Sequence, residues 1–189
     1  MIQTVRPFRL FEKLKGNREV LYHIPEVSGT TSLTIRSIET LLLVAAVRIL
    51  GIRTILELGT CYGYNALHLA TNTEATITTL DIQQRPDPVW KGTASEKQIR
   101  AIEQDIYAPT ANLAPSDLVF CDINYSHEST RRCTEIAFQA SPRAVVWHDF
   151  RNPDSPHVEP LLNEIAATRD LIHIDDTWLV FWSADATLV

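Results

Sequence analysis

The chain reads as an α/β protein with a mostly parallel sheet of seven strands, helices on both faces and an antiparallel hairpin at the C-terminus. Three observations predict this. Short apolar runs alternate with helix-spaced segments from Thr54 onward, and such alternation builds right-handed crossovers onto a parallel sheet. The last two runs, "LIHIDD" and "WLVFW", stand too close together for a crossover and must form a hairpin. Strand-like runs also end repeatedly in an acidic or polar residue, at the edge where parallel sheets bind ligands.

The chain has 189 residues, 45% of them hydrophobic, which is enough apolar mass for one full core. We divide it into an irregular N-terminal segment, 1–31, and a single domain, 32–189. Within the first, only "EVLYHI" resembles a short edge strand. From Ser32 to Leu50 apolar residues fall at 35, 38, 41, 42, 45 and 49, a helical spacing, with Ser32 as a start cap and Gly51 as a stop. Strands are expected at 54–58, 76–81, 99–104, 117–122 and 144–149, and helices at 63–71, 127–140 and 158–169. Pro160 falls in the first turn of the last helix, where its missing N–H is harmless.

Composition excludes several classes. The net charge of −6 argues against a nucleic-acid surface, which needs a basic face. The longest apolar run, "LLLVAAV", ends at Arg48 and is too short to span a bilayer. Cys61, Cys121 and Cys133 form no CxxC pair and no even disulfide framework, so a reduced, cytoplasmic protein is expected. The sequence leaves a homo-oligomer open.

The most informative stretch is "ILELGTCYGYNALHLA", Ile55 to Ala70. A buried strand runs into Glu57, then Gly59 and Gly63, and turns at once into a helix. Glycines at such a turn let a ligand approach the backbone. The spacing E-L-G-T-C-Y-G does not match the G-x-G-x-x-G dinucleotide fingerprint, and no Gly-Lys-Ser/Thr follows for a P-loop.

This stretch resembles motif I of the class I S-adenosylmethionine-dependent methyltransferases, in the form "LEIGxxxGYSALxLA" of small-molecule O-methyltransferases. Further on, "VFCDINYSHES" and "VVWHDF" are similar to the "IDGDHSYE…VIVWHDY" pattern of bacterial sugar and macrolide O-methyltransferases. The resemblance covers roughly Leu33 to Trp182 and implies a Rossmann-like fold that binds S-adenosyl-L-methionine. It places Asp81 on the ribose diol, Ile82 on the adenine face and Asp105 at the adenine amino edge. It places Glu57, Gly59, Gly63 and Tyr64 around the methionine portion, with Asp122 beside them. A side chain at Gly59 is expected to fill the methionine space while the chain still folds. Grouped carboxylates also favour a cationic sulfonium.

On the acceptor side, a hydroxyl must be held in line and its proton removed. Two solutions compete: a divalent metal, which acids at these strand ends bind in the metal-dependent enzymes the sequence resembles and for which Asp122, His148 and Asp149 are the candidates here, or a histidine base with no metal. Carboxylates suit Mg²⁺, whereas His148 favours a softer ion or a role as base. The family's "DGDHSYE" appears here as "DINYSHE", with Tyr125 at the position of the relatives' base. That leaves His127, His148 and Asp149 as the catalytic candidates. The expected partner is a small-molecule acceptor, with no nucleic acid and no membrane. The rivals are a methyltransferase acting on a macromolecule and a non-catalytic binding or assembly module. A nicotinamide oxidoreductase fails on the glycine spacing.

Overall fold

The structure, a computed structural model, describes residues 1–14, 16, 19–21, 35–108, 113–123, 126–140, 142–185 and 188. Its strands are β1 (Ile2–Val5), β2 (Thr54–Leu58), β3 (Thr76–Asp81), β4 (Ile99–Glu103), β5 (Leu118–Cys121), β6 (Ala144–Trp147), β7 (Leu171–Ile174) and β8 (Val180–Ser183). Its helices are α1 (Phe8–Lys13), α2 (Ser37–Leu50), α3 (Tyr64–Asn72), α4 (His127–Gln139) and α5 (Val158–Ala166). All seven expected strands form, and one more joins them. Among the described residues the sheet has eight strands in the order β1-β7-β8-β6-β5-β2-β3-β4.

Among these strands only β8 runs against the rest. It pairs antiparallel with both β6 and β7, and every other pairing is parallel. β8, the second strand of the hairpin, therefore inserts between β6 and β7.

The N-terminal segment corrects the sequence reading. Residues 2–5 are not irregular but extend the sheet as β1, paired with β7 in register Ile2↔Leu171 to Val5↔Ile174. Only Ile2 and Val5 are partly buried there, so the strand carries almost no apolar signal; backbone pairing to β7 makes it. The "EVLYHI" strand and the Ser32 cap fall largely or wholly outside the described residues. As described, α2 opens at Ser37, where Glu39 accepts the Arg36 N–H at 3.1 Å. It ends at Gly51 in the left-handed conformation, φ 61°.

Side chains alternate across the sheet, which sets two cores. On one face Ile55, Phe120 and Val146 pack beneath α1, α2 and α3. On the other Leu56, Val119 and Trp147 pack beneath α4 and α5. Trp147 is wholly buried, and its Nε1–H donates to Thr134 Oγ1 of α4 at 2.9 Å. Among the described residues no helix is long and apolar enough to cross a membrane.

Because β5, β2 and β3 are neighbours, with β6 and β4 flanking them, their carboxyl ends form one continuous edge. Glu57, Asp81, Asp105, Asp122, His148 and Asp149 all stand along it.

Thr134→Val keeps the shape of the side chain but strands the buried Trp147 N–H. We expect a loss of about 1–3 kcal/mol in urea unfolding. An unchanged midpoint would mean that this bond does not hold α4 to β6.

Candidate functional site

The glycine turn is fixed by its neighbours. Gly59 donates its N–H to Leu80 O at 2.8 Å, and Asp122 donates its own to Leu58 O at 2.8 Å. Gly59 has φ +104°, and a Cβ there would stand 2.5 Å from the carbonyl oxygen of Asp122. The sequence reading expected a side chain at Gly59 to fill ligand space in an intact fold. The structure corrects this, because the added atom meets the backbone after β5 first. Gly63, φ +86°, lies under the Trp90 ring, which a Cβ would overlap at 1.8 Å.

Asp81 holds the same turn. Its Oδ2 accepts the N–H groups of Thr60 at 2.8 Å and Cys61 at 3.0 Å. Its Oδ1 has only a long contact with the Gln83 N–H, 3.4 Å. Beside it opens a cleft of about 100 Å³, lined by Asp81, Ile82, Asp105, Ile106, Tyr107 and Ile123 among others. Ile82 and Tyr107 are 64% and 51% exposed, large apolar groups left to solvent on the rim. Asp105 Oδ1 accepts the Tyr107 N–H at 2.9 Å, so this acid shapes the turn that presents Tyr107.

On the other side of Gly59 lies a recess of about 20 Å³, with Glu57, Thr60, Tyr64, Asn65 and Asp122 in its wall. Glu57 is buried and accepts hydrogen bonds from Asn65 Nδ2, at 2.8 Å, and from Thr79 Oγ1. Burial pushes its carboxyl up to about 8 against those two hydrogen bonds, with the charges of Asp122 and Asp81 adding to the rise. Asn65 Oδ1 is buried and has no hydrogen-bond partner among the described residues. Tyr64 opens α3 and is 7% exposed, with its ring 6.2 Å from that of His68.

The second group sits beyond β5 and β6. Asp122, His148 and Asp149 each offer a ligand atom, and these atoms lie within 4.8 Å of one another. His148 Nδ1 stands 3.1 Å from Asp122 Oδ1 and 3.3 Å from Asp149 Oδ1. Asp149 adopts φ +66°, a left-handed conformation uncommon for a residue with a side chain. Asn152 Nδ2 and Ser155 Oγ hold its two oxygens, at 2.7 and 3.3 Å.

A residue absent from the sequence reading completes this group. Glu39 of α2 is fully buried, and its Oε2 lies 3.3 Å from His148 Nε2. Its Oε1 accepts from the Arg36 guanidinium at 2.5 Å and from the Trp178 N–H at 2.7 Å. Trp178 stands edge-on to the His148 ring, centroids 5.9 Å apart, with Arg36 over its indole at 4.4 Å. An acid in the first turn of a helix reads as a dipole partner or cap, and nothing local marks it as reaching His148.

The electrostatics follow from burial. Burial alone would lower the His148 imidazole, but Asp122, Glu39 and Asp149 outweigh it and raise it well above its usual value. Burial would raise Glu39, but hydrogen bonds from His148 and Arg36 hold it at about 2. Asp122 is raised, chiefly by burial, against the pull of His148. Each ring nitrogen of His148 thus has a carboxylate within hydrogen-bond reach, Glu39 at Nε2 and Asp122 with Asp149 at Nδ1. His127 does not join them: it is partly exposed, with Nε2 3.7 Å from Glu164 of α5.

No family model matches the sequence, and no curated protein matches it. Solved structures do match in shape. One is the adenosylhomocysteine-bound methyltransferase PaMTH1 of Podospora anserina, with a TM-score of 0.65 and 14% identity, over 87% of this chain and 91% of that one. Another is the O-methyltransferase TomG of Streptomyces achromogenes, involved in tomaymycin synthesis and bound to S-adenosylmethionine. It scores 0.57 at 16% identity, over 82% and 83% of the two chains. A third is an O-methyltransferase of Bacillus cereus in complex with adenosylhomocysteine, 0.54 at 14%, over 79% and 82%. The chain has the methyltransferase fold.

Glu57 and His148 both bind a proton more tightly folded than unfolded. Stability should therefore fall as pH rises, through Glu57 between about 4.5 and 8 and through His148 above about 6.5. One such proton contributes a slope of about 1.4 kcal/mol per pH unit. Glu57→Gln mimics the protonated acid and should flatten the pH 5–8 part of that decline in denaturant unfolding. Identical slopes in the variant and the wild type would mean that Glu57 is ionised in the fold.

Proposed function

We propose that the chain is an S-adenosylmethionine-dependent methyltransferase that acts on a hydroxyl of a small-molecule acceptor. One observation carries this reading. Asp122 belongs to both halves of the site: its carbonyl lies against Gly59 of the glycine turn, and its carboxylate joins His148 and Asp149. A cofactor seated along the turn would therefore end beside the acid–histidine cluster.

The residues fit the cofactor by their chemistry. The exposed Ile82 and Tyr107 flank an apolar cleft suited to a flat purine. Asp81 Oδ1 is the oxygen left for a ribose diol, since Oδ2 is taken by the turn. The unpartnered Asn65 Oδ1 and the buried Glu57 offer acceptors to an ammonium group. When bound, S-adenosylmethionine supplies a methyl group on a cationic sulfonium. Asp122 and Asp81 add negative potential on that side of the site.

Asp122 and Asp149 supply the oxygens that can accept the acceptor's hydroxyl proton, and His148 keeps their combined charge partly neutralised. If a divalent ion takes part, Asp122, His148 and Asp149 would hold it, and it would lower the hydroxyl's pKa. Two carboxylates with one imidazole favour a transition ion over Mg²⁺. The net charge of −6 supports a small-molecule acceptor over a nucleic acid. Three unpaired cysteines support a reducing, cytoplasmic setting.

Calorimetry with S-adenosylhomocysteine and with NAD tests the reading, with binding of the first and not the second expected. Asp81→Asn keeps an oxygen for the turn and removes the acceptor from the diol. It should weaken adenosylhomocysteine by about 1–3 kcal/mol, the scale for stranding polar partners. Wild-type affinity in a folded Asp81→Asn chain would take the ribose away from Asp81.

A further inference from the structure

Glu39 is buried in the first turn of α2, far in sequence from everything else in the site. It collects four donors from three parts of the chain. Its Oε2 faces the Arg36 N–H at 3.1 Å and His148 Nε2 at 3.3 Å. Its Oε1 accepts from the Arg36 guanidinium and from the Trp178 N–H of the β7–β8 hairpin. A carboxylate so fully engaged cannot turn, and it offers its second oxygen to only one nitrogen of the His148 ring.

We propose that Glu39 is the positioning residue of the reaction centre. It holds the His148 ring with Nε2 toward α2 and Nδ1 toward Asp122 and Asp149. This rests on the reading of Asp122, His148 and Asp149 as that centre.

The alternative orientation is open by size alone, since an imidazole turned about χ2 occupies nearly the same space. What forbids it is pairing. Turned over, the ring would carry Nε2 away from Glu39 and leave a buried carboxylate oxygen with one donor fewer, a costly loss in a dry site. Packing supports the same pose. Phe120 stands 6.2 Å from the ring centroid on one side, and Trp178 stands 5.9 Å away at its edge. Trp178 is itself tied to Glu39 through its N–H, so one carboxylate fixes both the ring and one of its walls.

The chemical consequence has a direction. Whatever enters between Asp122 and Asp149, a divalent cation or an acceptor hydroxyl, meets Nδ1 of His148 and never Nε2. A carboxylate behind a histidine fixes its tautomer and raises its basicity as a ligand. Glu39 would thus set which proton or ion the opposite nitrogen can hold without touching the substrate.

Long-range ¹H–¹⁵N spectra of the His148 ring in the full chain test this. In the wild type the Nε2 proton should be observed and protected from exchange with water, with a single ring orientation. In Glu39→Gln, which retains one acceptor oxygen but loses the charge, exchange of that proton should quicken at least tenfold. A role confined to anchoring α2 would shift the unfolding midpoint and leave the ring signal unmoved in the folded variant. That result would overturn the proposal. So would a wild-type ring with no proton on Nε2, a measurement that does not depend on the variant folding. Adenosylhomocysteine calorimetry on the same wild-type sample separates the two ideas, because its failure removes the methyltransferase reading while the ring spectra still decide the role of Glu39.

Discussion

Four ionisable side chains from three distant stretches share one buried site, and Arg36 adds a guanidinium to one of them. Glu39, Asp122 and Asp149 surround a single imidazole, that of His148. Burying charges costs several kcal/mol per ion, and a buried pair seldom does more than offset its own desolvation. Such a group is a poor device for stability. It locks α2, the end of β5, the end of β6 and the hairpin into one register, because each element supplies a partner that the others cannot do without. Removing one member would leave charge uncompensated in the interior.

The second constraint is backbone crowding at Gly59. The chain leaves β2 with one hydrogen bond to β3 and passes under the carbonyl of Asp122 after β5. No side chain fits at that crossing. Because Asp81 pins the same turn through the Thr60 and Cys61 N–H groups, the acid at the end of β3 serves structure with one oxygen and faces the cleft with the other. The glycine turn is therefore rigid before any ligand arrives, which reduces the ordering that binding requires. Trp90, lying on Gly63, covers the turn from the side of the 83–98 segment.

Much of the sheet was legible because each strand satisfies a local rule. "TILEL" and "TITTLD" are short apolar runs between turn signals, and their bounds in the structure agree with the sequence reading. β1 was not legible. Gln3 and Thr4 are exposed and Ile2 and Val5 only partly buried, and the strand pairs with β7, about 170 residues later in the chain. A strand made by pairing alone leaves no hydrophobic period to read. The candidate site divides in the same way. Asp122, His148 and Asp149 could be grouped because they follow adjacent parallel strands. Glu39 could not, since its position in a helix carries no information about which strand end lies opposite.

By itself the sequence determined the alternation of strands and helices, the glycine turn, and the acids at the carboxyl edge of the sheet. These follow from residue types at short spacing, where backbone preference and burial act locally. Only the tertiary structure decided what those residues do with one another. It spent one oxygen of Asp81 on the turn and turned His127 toward Glu164 of α5. It also brought Glu39 against His148 across 109 positions of sequence. Partnership between buried charges depends on distances of about 3 Å and on which nitrogen faces which oxygen. No local pattern encodes that, because it is set by how α2 lies across the sheet.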